Sequence, residues 1–471
     1  MRSVAGLLLF CAFAAESAAQ LPPGVSLILD GHDIPPEDVS IVVQALDSPE
    51  PVLSHLPDVP RNPASVMKMV TTWSALEILG PAWTWQTEVY FDGGFDGTTL
   101  NGDLAIKGFG DPFLVVEEVW KMLRVLRNLG LERVTGDLVL DDSYFDVTEA
   151  DAGRFDASPY RAYNVTPNAL LTNFKATRFR FLADPNNRRV MVSTDPPLSN
   201  LDIRNRIDLV GGRCRGFQAG ISFNVADPET ASRIVLEGEF PRRCNSYELY
   251  RAVLRHDTYA FGMIDALWSE LGGRLEGGLR NEEVSDDASL AVTWRSRSLG
   301  DVIRLVNKNS NNVMTRQLLY TMGAESFEPP GTRAKGIAAI ETLLSERGFS
   351  IDSLVVDNGA GLSRDARISA ALLVQLLQEA ARGVYAPEFI SSLALGGLDG
   401  TTRERFEGGN GEGRMHLKTG SLDEVSGLAG YVHVPDGPTY VMAVFVNTAD
   451  AHRGPGNELE DAVVEWIYTL Q

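Results

Sequence analysis

The chain is 471 residues long and carries 42 basic against 63 acidic residues, a formal net charge of −21. At about 150 residues per domain that length predicts roughly three domains, and a 44% share of hydrophobic residues excludes intrinsic disorder and collagen-like structure. The acidic excess speaks against nucleic acid as a partner and against a polybasic membrane contact, since both need a basic face. Only seven of the 42 basic residues are lysines, so a lysine at a special place stands out.

Met1-Arg2, an apolar run from Val4 to Ala15 and the small residues Ser17-Ala18-Ala19 predict a secretory signal segment, cut near Ala19. Leu21-Pro22-Pro23-Gly24 then reads as a helix breaker. No later stretch reaches the ~18 uninterrupted apolar residues of a membrane span, so the mature chain is expected to be exported and to lack a transmembrane segment. Val39 to Leu46 and Pro51 to Ser54 predict a hairpin turned at Asp47-Ser48-Pro49. Pro63 to Leu79 predicts a helix, with Asn62 as its cap and Gly80-Pro81 as its end. Between residues 85 and 285 short β-like runs, such as Leu100 to Lys107 and Gly136 to Leu140, alternate with Gly, Asp and Pro turns. Basic hairpin-like pieces flank Asp184-Pro185-Asn186-Asn187 and the cysteine pair, and Ala252 to Gly272 looks helical. In an oxidising compartment Cys214 and Cys244 are expected to close a disulfide. Two cysteines without a histidine cluster predict no zinc site.

From residue 297 onward apolar spacing predicts helices over Leu299 to Tyr320, Ala334 to Arg347 and Ser369 to Arg382. Three strand-like runs follow, Met415 to Thr419, Ser426 to Val434 and Tyr440 to Asn447, read as consecutive strands of an antiparallel sheet. Glu458 to Leu470 predicts a last helix. The order predicts an α/β (α+β) core interrupted by a large, mostly β insertion.

Three short motifs carry chemistry. Lys68 follows Ser65 by three residues, which places both on one face of a helix start, where backbone N–H groups favour developing negative charge. A serine becomes nucleophilic when a base takes its proton, and a lysine can do so if burial or a second cation lowers its pKa. Ser310-Asn311-Asn312 can supply a proton-relaying hydroxyl and an amide for a substrate carbonyl. Lys418-Thr419-Gly420-Ser421, at the end of a strand, adds a second cation, a glycine that leaves room for a substrate backbone, and hydroxyls that can hold a carboxylate. The Ser421 N–H can join that of Ser65 in an oxyanion hole. Each motif alone also fits a bland structure: a solvated helix, a polar helix cap, a turn after an edge strand. Together, in the order S-x-x-K, S-x-N, K-T-G, they are the set of penicillin-binding proteins and β-lactamases.

The chain resembles the D-alanyl-D-alanine carboxypeptidase/endopeptidases of the class C low-molecular-weight penicillin-binding proteins, peptidase family S13. Beyond the three motifs, the resemblance rests on Gly102-Asp103-Leu104 with Gly110-Asp111-Pro112, and on the run from Gly136 to Phe145. It rests also on the run from Asp357 to Arg364, with Ala360 where the family has serine, and on Asp399-Gly400-Thr401. It covers nearly all of the mature chain. It implies a β-lactamase/transpeptidase-like core at 20–84 and 287–471, after a signal peptide at 1–19, with two nested domains inserted at 85–286. It implies that Ser65 is acylated, Lys68 is its base, Ser310 relays the proton to the leaving amine and Asn312 holds the substrate amide. Lys418, Thr419 and Ser421 bind the terminal carboxylate beside Gly420. Asp141 and Arg364 recognise the free-amine end of the side chain. Peptidoglycan stem peptides are then the substrate, β-lactams covalent inhibitors, the periplasm the location, and no cofactor or metal is needed. His416 shares a strand face with Lys418 and reads as a half-buried strand residue. The rival readings are a serine β-lactamase-like hydrolase on the same core, a non-catalytic peptidoglycan-binding scaffold, and a cytosolic peptidase. The insertion, the intact motifs and the signal segment respectively speak against them.

Overall fold

The computed structural model describes residues 21–470, apart from 149, 185, 187, 228 and 229. The expected signal segment therefore lies outside the described residues, as does part of the turn at 184–187. The core is an antiparallel sheet of six strands. In spatial order they are Ala394–Leu395, Met415–Leu422, Val425–His433, Thr439–Val446, Val39–Ala45 and Pro51–His55. The first predicted hairpin thus completes a sheet begun by the last third of the chain, with Val39 opposite Val446 and Ala45 opposite Tyr440.

Alternation along the strands sorts the two faces. Ile41, Val43, Leu417, Leu428 and Val444 meet the terminal helices Pro23–Gly31 and Pro455–Ile467. The first of these helices was not predicted from the sequence: proline at the first helical position has no N–H to lose, so Pro23 can start a helix. Val42, Tyr431, Val441, Ala443 and Phe445 face the other way, onto the helical layer. Its centre is the helix Lys68–Leu79, in which every residue from Lys68 to Leu76 is buried. Such all-round burial marks a helix inside a domain.

The chain leaves the core along Thr84–Phe95 and returns along Ser289–Ser298, antiparallel and side by side, with Thr84 opposite Ser298. Thr99–Gly108 pairs with the outgoing strand, and Leu138–Asp141 runs parallel to it. The helix Val116–Asn128 packs here through Val119, Met122, Leu123 and Leu126, a helical element among runs read from sequence as β. Farther out lie two three-stranded sheets. One holds Ser246–Arg251, Thr177–Asp184 and Arg189–Asp195; the other holds Ser222–Val225, Arg233–Pro241 and Asp202–Val210. Cys214 and Cys244 are joined as a disulfide, their Cα atoms 5.0 Å apart. Among the described residues no helix is long and apolar enough to cross a membrane.

Candidate active site

Ser65 sits where the sheet meets the buried helix, on a tighter turn than the sequence predicts. Asn62 Oδ1 accepts the Ala64 N–H at 2.9 Å, and Ala64 has φ 45°. This left-handed residue cannot continue an α-helix, so Ala64–Met67 forms a 3-10 turn and the α-helix begins at Lys68. In a 3-10 turn residues i and i+3 eclipse one another. The Ser65–Lys68 spacing is therefore served at least as well: Lys68 Nζ lies 2.9 Å from Ser65 Oγ. The same amine lies 2.7 Å from Asn312 Oδ1 and 2.6 Å from the Ala360 carbonyl oxygen. None of these partners is a carboxylate. Burial first, then the cations Lys418 and Arg316, hold the Lys68 pKa well below its ordinary value.

The predicted continuous helix over Leu299 to Tyr320 is broken. Leu299–Asn309 ends at Ser310, which has left-handed φ 54° and ψ 41°, and Asn312–Phe327 starts afresh with Asn311 as its cap. The break delivers both functional side chains. Asn312, at the new helix start, reaches Lys68. Ser310, outside both helices, accepts a hydrogen bond from Lys418 Nζ at 3.0 Å. Lys418 also donates to the Thr419 carbonyl at 2.7 Å, is fully buried, and is brought by that burial down to about 7.

Two glycines permit the close packing. A Cβ on Gly420 would lie 2.4 Å from the Pro63 carbonyl oxygen and 3.0 Å from the Ser65 nitrogen, so any larger residue would push the strand off the Ser65 turn. Gly361, at φ +70°, would place a Cβ 1.8 Å from the Ala64 carbonyl oxygen. The segment around it presents the Ala360 carbonyl to Lys68, a contact made by backbone. Ser421 is exposed in the same strand, which runs on to Leu422.

The structure separates the two outlying candidates. Arg364 lines a cavity of about 130 Å³ with Arg154, Phe155, Arg316 and Asp365. It lies over the Phe155 ring at 5.0 Å and donates to the Asp423 carbonyl at 2.9 Å. Asp141 does not line that cavity. It is fully buried. Its Oδ1 accepts from the Ser143 N–H and hydroxyl at 3.0 and 2.6 Å, and its Oδ2 accepts from the Val284 N–H at 3.1 Å and faces Lys107 Nζ at 2.9 Å. Burial opposes its charge, but these bonds outweigh burial and hold its pKa below the ordinary value. The carboxylate that lines the cavity from the insertion side is Asp151, in a loop without a motif that sequence could have flagged.

Thr401 has a fainter signal, the Asp399-Gly400-Thr401 resemblance. Its hydroxyl lies 2.8 Å from that of Thr419, and Asp399 pairs with Lys308 at 2.5 Å, two residues before the Ser310 break. His416 is half-buried against His433, ring centroids 5.6 Å apart, and burial followed by that neighbour lowers its pKa.

A serine within hydrogen-bond reach of a buried lysine, and a Lys-Thr-Gly strand on a sheet with helices on both faces, match the penicillin-binding class of serine hydrolases. The chain belongs to the D-Ala-D-Ala carboxypeptidase 3 (S13) family, whose model matches residues 25–470. The D-alanyl-D-alanine carboxypeptidase of Actinomadura sp. (strain R39) is 28% identical over 415 residues, 85% of this chain and 76% of that protein. The D-alanyl-D-alanine carboxypeptidase DacB of Haemophilus influenzae is 22% identical over 82% of this chain and 80% of its own. Among solved structures, penicillin binding protein 4 (dacB) from Haemophilus influenzae has the same fold, with a TM-score of 0.78 and 21% identity over 94% of this chain and 99% of that one. The Bd3459 predatory endopeptidase from Bdellovibrio bacteriovorus matches at a TM-score of 0.55 and 14% identity over 92% of this chain and 91% of that one.

Proposed function

We propose that the chain cleaves D-Ala-D-Ala and related amide bonds of peptidoglycan stem peptides through an acyl-enzyme on Ser65, outside the cytoplasm after signal cleavage near Ala19. The observation that carries this reading is Lys68: a buried amine 2.9 Å from Ser65 Oγ, with a lowered pKa. A neutral amine has two N–H donors and one lone pair. Asn312 Oδ1 and the Ala360 carbonyl take the donors, and the lone pair is left for the Ser65 proton.

Lys68 removes that proton as Ser65 Oγ adds to the scissile carbonyl. The oxyanion is held by the N–H groups of Ser65 and Ser421. The proton held by Lys68 is relayed through Ser310, which gives its hydroxyl proton to the leaving amine and takes that proton in return; the C–N bond breaks, and D-alanine or a cross-bridge amine departs. Lys68, neutral again, takes a proton from water as the water attacks the ester, and returns it to Ser65 Oγ as the acyl C–O bond breaks. Lys418, Thr419 and Ser421 hold the terminal carboxylate along the strand that Gly420 keeps open, and Asn312 orients the substrate amide. Arg364 and the cavity beside it receive the side chain of the stem peptide. The chemistry calls for no metal.

The test is intact mass spectrometry of the mature chain after incubation with benzylpenicillin, beside Ser65→Ala. A long-lived adduct of one drug mass, absent in the variant, is expected. Rapid return to free enzyme with hydrolysed drug favours a β-lactamase-like hydrolase, and neither adduct nor hydrolysis leaves a peptidoglycan-binding scaffold.

A further inference from the structure

The outer part of the insertion has its own charge. Between Lys175 and His256 the chain carries 14 basic and nine acidic residues, against 28 and 54 in the rest. A region of net positive charge therefore sits on an otherwise strongly acidic molecule.

Most of its arginines on the sheets are neutralised locally. Arg178 pairs with Asp195 and Glu248, Arg189 with Asp184, Arg204 and Arg233 with Asp202, and Arg206 with Glu237. Among those without an ion pair, Arg213, Arg215, Arg242 and Arg243 are exposed, and among the described residues none of these four has a guanidinium hydrogen bond. These four flank the disulfide. Arg213 and Arg215 stand on either side of Cys214, and Arg242-Arg243 immediately precede Cys244, with 5.0 Å between the two cysteine Cα atoms. At about 3.8 Å per residue the four Cα atoms lie within roughly 16 Å of one another. Phe217 pins the same loop, edge-on to Phe240 and Tyr247 at 5.4 and 5.3 Å between ring centroids. The patch is thus a held cluster of four unpaired forks. Exposed like charges repel, so holding them together without counter-ions costs stability unless an anion is met there.

We infer that this arginine cluster is a docking surface for the free carboxylates of peptidoglycan stem peptides away from the cleavage site. The inference rests on the proposed function, which makes a carboxylate-bearing polymer the substrate. Guanidinium forks pair with carboxylates in bidentate fashion. The acidic remainder of the molecule is repelled by the same polymer, so attraction concentrated at one end also orients the enzyme. A second contact on a polymeric substrate raises the effective concentration of scissile bonds at Ser65.

The experiment uses the full mature chain with Ser65 blocked by benzylpenicillin and its adduct verified by mass, so that the catalytic groove contributes nothing. Sedimentation with purified sacculi is compared with the Arg213→Gln/Arg215→Gln/Arg242→Gln/Arg243→Gln variant. The expected result is binding that weakens with salt, falls about tenfold in the variant, and disappears when the carboxyl groups of the sacculi are amidated. Equal binding by variant and parent, survival after amidation, or binding to anionic phospholipid vesicles in place of sacculi overturns it. The variant must still form the penicillin adduct, which shows that it is folded. Failure of the parent to form any adduct overturns the catalytic reading, whatever the arginines do.

Discussion

Two lysine sites in this molecule use the same amine in opposite ways. In the insertion, Lys107 faces the buried carboxylate of Asp141 at 2.9 Å, and the pair helps to tie strands together. In the core, Lys68 and Lys418 are fully buried, and their hydrogen-bond partners are hydroxyls, an amide oxygen and carbonyls. Without a counter-ion, burial penalises the ammonium form: the Lys68 amine becomes available as a base, and Lys418, brought down to about 7, keeps its charge at higher pH only when a carboxylate meets it. With one, as at Lys107, the amine is spent on an ion pair between neighbouring strands. The difference lies in what the tertiary structure sets beside each lysine.

The strongest way to break this comparison is to give Lys68 a counter-ion. Asn312→Asp places a carboxylate where Oδ1 now lies 2.7 Å from the amine. An opposite charge at that distance stabilises the ammonium form, and acylation by benzylpenicillin should fall roughly 100-fold, the scale of losing a general base. Unchanged acylation would show that Lys68 is not the base.

The converse change removes the charge from the insertion's carboxylate. Asp141→Asn should lower unfolding stability by about 1–3 kcal/mol and leave the acylation rate alone. Because the folded-state pKa of Asp141 is depressed, its contribution is present at neutral pH and is lost as pH falls through that folded value. The variant should lack this acid dependence in denaturant titrations. A raised KM with intact stability would instead assign Asp141 to substrate recognition.

The pH profile sharpens the contrast between the two core lysines. Lys68 must be neutral, so activity should rise with pH through its lowered pKa. Lys418 must be charged to hold a carboxylate, so kcat/KM for a carboxylate-ended peptide should fall as pH rises through about 7, the value to which burial brings it. Each limb should approach about tenfold per pH unit, and a flat profile would contradict both assignments. The smallest effect is expected from Thr401→Val. It removes the hydroxyl 2.8 Å from that of Thr419 and should raise KM about fivefold with kcat nearly unchanged, the scale of one hydrogen bond.

How much was legible in the sequence follows from how local each feature is. The Lys418-Thr419-Gly420 strand and the helix behind Ser65 came from runs whose periodicity and end signals lie within a dozen residues. The helix at Pro23–Gly31 was missed because its proline pair was weighed as a breaker, and Val116–Asn128 because its surroundings read as β. The Ser310 break was missed for a different reason. Apolar spacing continues across it, and only the demand that Asn312 meet Lys68 while Ser310 meets Lys418 separates the two helices.

Sequence by itself determined the nucleophile candidate, the order of the three motifs, the interrupted α/β core and the cysteine pair, because these are statements about residue types and spacing along one chain. Tertiary structure decided which buried groups are left without counter-ions. It set Lys68 against Ala360 and Asn312, from segments far apart in the chain, and it spent Asp141 on Lys107, Ser143 and Val284. Burial and the identity of the nearest charge fix an amine's protonation, and both are properties of packing across the chain that no local stretch of sequence contains.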